Sequence, residues 1–135
     1  MVIGIFVFVL YGLIAYGMML NFKQSITHAA NEGARAAIGV ASGDANGNGI
    51  DDRVDAARTR TQDVLKGALG SKYSASDISI PNPAACDSSQ PNGAQCITVT
   101  ITYPYASRPI VPAAPGLGLI TPSTLSSSAT VALTN

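Results

Sequence analysis

The sequence predicts an α+β chain: a long N-terminal helix laid by its second half on a small antiparallel sheet, with a second helix beside it. Three observations carry this. Met1 to Leu20 holds no charged side chain, and the run from there to Val40 holds no proline. A second stretch, Asp52 to Leu69, repeats apolar residues at helical spacing. Beyond it the pattern changes to alternation, clearest in Ile97-Thr-Val-Thr-Ile-Thr-Tyr103.

The first element divides in two. At about 1.5 Å rise per residue, its first twenty positions give roughly 30 Å, enough to cross a bilayer core. The whole rod to Val40 would measure about 60 Å, too long for a membrane span alone. Residues 1–24 are therefore expected to form a helix for a membrane or for the core of a polymer, and residues 25–135 an exported domain. Such a helix cannot stay bare in water, so it needs lipid or other copies of itself. Burying one Leu, Ile, Phe or Val is worth about 1.5–3 kcal/mol, and a dozen outweigh the cost of ordering one subunit. Gly4, Gly12 and Gly17 would let neighbouring helices come close. Over 25–41 the helix turns amphipathic, with Ile26, Ala30, Gly33, Ala37 and Val40 at helical spacing. The small-residue ladder Ala29, Gly33, Ala37 is a helix-packing face, for its own domain and for neighbouring copies alike. Glu32 can reach Arg35 one turn on.

Ser42-Gly43 ends this helix, and residues 44–55 follow as the sharpest local motif. Asp44, Asn46 and Asn48 stand at loop positions one, three and five, and Gly49 at six, where the chain must turn. Ile50 can offer its carbonyl at seven, Asp52 stands at nine, and Asp55 closes at twelve. This is EF-hand loop spacing, which Ca²⁺ requires because six or seven oxygens must converge at about 2.3–2.6 Å. The closing Asp in place of Glu resembles dockerin-type loops and implies weak affinity, roughly 10⁻⁴–10⁻³ M. The alternative is a plain Asn/Gly turn whose aspartates cap the next helix. Asp51 and Asp52 suit that helix start, and Val54, Ala57, Thr61, Val64, Leu65 and Ala68 form its apolar stripe. Gly70 sits where a C-cap belongs, so the helix spans 52–69.

The sheet is expected within 76–134. Ile78 and Ile80 form a short strand before Pro81, Ile97 to Tyr103 a half-buried one, and Ala129, Val131 and Leu133 the inward side of the last. Between the last two, Pro104 to Pro122 holds five prolines with Gly116 and Gly118, a long surface loop with a brief strand at Ile110 and Val111. Cys86 and Cys96 flank a short loop. An even count, close spacing and an exported context favour one disulfide.

Composition narrows the function. Eight basic and eight acidic residues leave no excess charge for nucleic acid. With a single histidine, His28, no G-x-S-x-G and no phosphate-cradling glycine loop, no catalytic constellation assembles, and an enzyme is not expected. The apolar run is long for a cleaved signal peptide, lacks a basic leading segment and has no A-x-A site, so retention is expected. Lys23 and Arg35 on its carboxyl side argue for a cytoplasmic domain by the positive-inside rule, and the disulfide argues for export. A basic leader removed before Met1 would reconcile the two.

These pieces in this order resemble the TadE-like family of tight-adherence pilus subunits, relatives of type IV pilins. The likeness lies in Ala29-Ala30-Asn31-Glu32-Gly33-Ala34-Arg35, in Ile97-Thr-Val-Thr-Ile-Thr-Tyr-Pro104-Tyr, and in Leu125-Ser-Ser-Ser-Ala-Thr behind the Pro-rich stretch. It runs nearly the whole chain, least over residues 44–55 and the cysteine loop. It implies a pilin-like fold and a structural subunit held in the inner membrane, freed of its leader by a prepilin peptidase. A cytoplasmic ATPase and a platform protein would then draw it into an extracellular adhesive filament of its own copies. Such chains usually carry a glutamate near the mature N terminus. Here Ile5 and its neighbours are apolar, so that docking role passes to no residue. Alternatives are a minor or initiating subunit, or a single-pass exported module that binds a partner.

Overall fold

The computed structural model describes residues 2–86, 94–110 and 122–133. Helix α1 runs unbroken from Val2 to Ile38. It stops short of Val40 because Gly39 and Ser42-Gly43 offer poor helical continuation. Helix α2, Asp52–Leu69, folds back along its upper half. Gly33 is where they meet: a β-carbon there would lie 2.0 Å from Thr61 Oγ1 and 3.1 Å from the Ala57 carbonyl oxygen. Only a bare backbone lets the helices approach so closely. At α2's end Gly70 takes φ 59° and donates its N–H to the Lys66 carbonyl, followed by two single 3₁₀ turns, Gly70–Lys72 and Ala75–Asp77.

The sheet has four antiparallel strands, with β3 (Gln95–Tyr103) in the middle. Strand β4 (Leu125–Leu133) pairs along its full length, from Gln95↔Leu133 to Tyr103↔Leu125. On the other side lie two fragments, β1 (Ile78–Ser79) against Ile101 and Thr100, and β2 (Ala84–Ala85) against Cys96 and Gln95. Pro81 and Pro83 stand between the fragments, and proline cannot donate to a ladder, so the edge strand breaks there. Strand β4 starts four residues before the expected Ala129, because Leu125 buries beside Tyr103 and anchors the polar Ser126–Ser128 run. Ile110 lies in a bend rather than a strand, and Val111 lies outside the described residues.

The core is the layer between α1 and its two partners. Phe22, Ile26, Ala29, Ala30, Ala34 and Ala37 of α1 bury against Val54, Ala57 and Leu65 of α2 and Ile97, Val99, Ile101 and Tyr103 of β3. Phe22 meets the Tyr103 ring edge-on, with centroids 4.9 Å apart. Cys86 and Cys96 form a disulfide, Cα to Cα 4.9 Å, that ties the end of β2 to β3. Such bonds persist in oxidising compartments.

Candidate assembly helix and cation-type loop

Two features stand out from this framework. The first is the free half of α1. From Val2 to Leu20 the helix rises about 28 Å with almost nothing against it. Ile3 is 79% exposed, Phe6 67% and Leu13 65%, whereas Ile26 is 1% exposed. By length and composition this is the one helix among the described residues fit to cross a membrane. Gly4, Gly12 and Gly17 have no atom within 4 Å of where a side chain would begin. Ala29, Gly33 and Ala37, by contrast, are buried inside the fold, with Gly33 filled by Thr61. The two sets of small residues thus face different surroundings.

The second feature is the loop between the helices. The Asp44 carboxylate accepts the backbone N–H of Asn48 at 3.0 Å and of Gly49 at 2.7 Å. Those bonds require a sharp reversal, and Gly47 and Gly49 supply it with φ of 66° and 76°. Asn48 turns its carbonyl oxygen to the Ile50 N–H at 2.8 Å and its amide nitrogen to Asp55 Oδ2 at 3.0 Å. Asp44, Asn48 and Asp55 therefore stand together as one bonded series. Asp52 sits toward the other strand of the loop, accepting from the Ala45 N–H at 3.0 Å, while its own N–H reaches the Gly43 carbonyl. Asn46 is exposed, and Ile50 packs partly on the core. Each carboxylate oxygen keeps lone pairs beyond the bonds it already accepts, so oxygen donors remain for a hard cation. Among the described residues no three His, Cys, Asp or Glu side chains group closely enough to hold a metal by themselves. Any cation here would lean on the asparagines and backbone carbonyls.

One neighbour of this loop escaped the sequence reading. Asp51 is the N-cap of α2, accepting from the Arg53 N–H. The Arg53 guanidinium, 5% exposed, folds back onto both Asp51 oxygens at 3.0 Å and reaches Gln95 Oε1 at 3.3 Å. Its hydrogen bond to the carboxylate holds Asp51 below the usual carboxylate range. This joint seats the loop on the start of β3. Arginine at a helix start looks like a solvated charge in sequence, and its second partner, Gln95, lies 42 residues away.

At the opposite end Arg108 plays a similar part. It donates to Asp77 and to the Lys72 carbonyl, its cation lies 5.0 Å from the Tyr103 ring centre, and its own carbonyl accepts from the Tyr103 hydroxyl. The Asp77 carboxylate raises the pKa of Arg108, and burial raises that of Tyr103. His28 is exposed.

Taken together, the fold is that of an α+β protein whose long apolar helix projects from a small, disulfide-bonded domain. A model of the TadE-like protein family matches residues 1–35, the apolar helix and the Ala29–Arg35 run. The match covers the apolar helix and stops before the Tyr103-Pro104 strand and the loop behind it. No curated protein and no solved structure matches the chain.

Proposed function

We propose that the chain is a structural pilus subunit that polymerises through Val2–Leu20 into an extracellular, tight-adherence type filament. The observation that supports this reading is the row of large apolar side chains on a rigid helix, uncovered by its own domain. Before assembly the same helix sits in the inner membrane. Its partners are other copies of itself and the assembly machinery: a prepilin peptidase, a platform protein and an ATPase. The work is structural rather than catalytic. Cryo-electron microscopy of filaments sheared from producing cells, with mass spectrometry of the same fraction, tests it. A fibre built of this chain, with Val2–Leu20 at its axis, is the expected result. Trace amounts in the fibre would indicate a minor or initiating subunit, and a chain confined to membranes would indicate a tethered binding module.

We further propose that residues 44–55 hold one structural Ca²⁺ through Asp44, Asn46, Asn48, the Ile50 carbonyl, Asp52 and Asp55. The bonded series Asp44–Asn48–Asp55 and the positive φ at Gly49 support it. With affinity of about 10⁻⁴–10⁻³ M, 10 mM calcium would stabilise the fold by about 1.4–2.7 kcal/mol. The melting temperature should rise with calcium and fall with chelator, and Asp44→Ala should abolish that response. A melt indifferent to both would leave a plain capping turn.

A further inference from the structure

The charges of this chain balance in number but not in place. All three lysines, Lys23, Lys66 and Lys72, lie at the end of the domain from which the apolar helix emerges. Lys23 follows Leu20 by less than one turn, about 5 Å of rise. Lys66 lies five residues past Thr61 on the descending α2, about 7 Å below the Gly33 contact. Lys72 follows α2 in the first 3₁₀ turn; its carbonyl accepts from Arg108, which covers the Tyr103 ring that meets Phe22. All three are exposed, and none enters an ion pair among the described residues. The acids at this end are Asp77, committed to Arg108, and Asp63, one turn before Lys66. The far end carries Asp44, Asp51, Asp52 and Asp55, with Arg53 bound to Asp51, Arg35 in the last turn of α1 and Arg58 one turn into α2.

We propose that Lys23, Lys66 and Lys72 form a cationic collar that rests on anionic phospholipid headgroups while Val2–Leu20 occupies the bilayer. The inference rests on the reading of that helix as a membrane segment. A span of about 28 Å fills the hydrocarbon core, which puts Lys23 among the headgroups and the other two within a lysine's reach of them. Each lysine near the surface is drawn to anionic lipid, an attraction that acts within about 8–10 Å and so on this end of the domain only. The domain is therefore held upright, base to the membrane and loop 44–55 outward.

The test uses the full chain reconstituted in two kinds of vesicle, phosphatidylcholine alone and phosphatidylcholine with about 30 mol% phosphatidylglycerol. A neutral, membrane-impermeant acylating reagent is applied, and mass spectrometry follows each lysine. All three should react at least about threefold more slowly on the anionic vesicles, and about 0.5 M salt should restore the rate. Equal rates on vesicles that both carry the chain through flotation would overturn the collar alone. So would a slowing that follows protein-to-lipid ratio instead of lipid charge, which would assign the lysines to a neighbouring copy. A chain that floats with neither vesicle would overturn the membrane reading itself.

Discussion

Residues 2–20 and residues 22–37 belong to one helix and share one backbone geometry, yet they solve opposite problems. The upper half mixes small residues with polar ones, so a single face buries, and that face is already occupied by α2 and the sheet. The lower half is apolar all round, so no one-sided partner within the chain could satisfy it. Small residues show the contrast most directly. Gly33 is pressed by Thr61, while Gly4, Gly12 and Gly17 face open space. Identical residue types thus serve folding in one half and remain available for association in the other.

Substitutions can break this comparison, beginning with the largest effect. Ile26→Ala empties a fully buried site and should cost about 2–5 kcal/mol in denaturant melts of the detergent-solubilised chain. Val9→Ala should leave the same melt unchanged. Val9→Asp should spare the domain but oppose membrane insertion by about 2.5–3.5 kcal/mol, read as loss of the chain from the membrane fraction. Gly33→Ala should cost about 1–3 kcal/mol, since Thr61 can turn aside but the Ala57 carbonyl cannot. Gly12→Ala should cost nothing in folding, and equal melts for the two alanine variants would erase the distinction between the halves.

The smallest effect sharpens the picture at the loop. Asp51→Ala removes a cap and strands Arg53, for about 1–2 kcal/mol. Because the folded state holds this carboxyl below its unfolded value near 3.8, its contribution is complete above that pH. It is lost as pH falls through the lower, folded value. Acid titration of stability should show that loss in the native chain, and Asp51→Ala should flatten it.

Local signals made most of the fold legible. An unbroken apolar run, a helical stripe closed by Gly70 and the Ile97–Tyr103 alternation each name their element through neighbours a few residues apart. What stayed hidden depends on distance or on brevity. Strand β2 is two alanines between Pro83 and Cys86, with no alternation to read. Glu32 was legible as a partner for Arg35, at 3.8 Å, but its closer partner at 3.2 Å is Arg60 on the other helix. Arg53 with Gln95, and Arg108 with Asp77, join residues 42 and 31 apart through chemistry that a one-dimensional pattern reads as solvated charge. The candidate loop was legible in its spacing, since oxygen side chains and glycines carry their own turn. The seat it occupies on β3 was not.

The continuity of α1 has a mechanical side. About 55 Å of helix with no proline and no break offers no hinge, so a pull on the domain reaches Val2–Leu20 with little lost to bending. The sheet meets this rod at separate heights, for Tyr103 sits beside Phe22 and Ser127 bonds Thr27, about 7 Å further along the helix. Tension along the rod is therefore shared between contacts at more than one height.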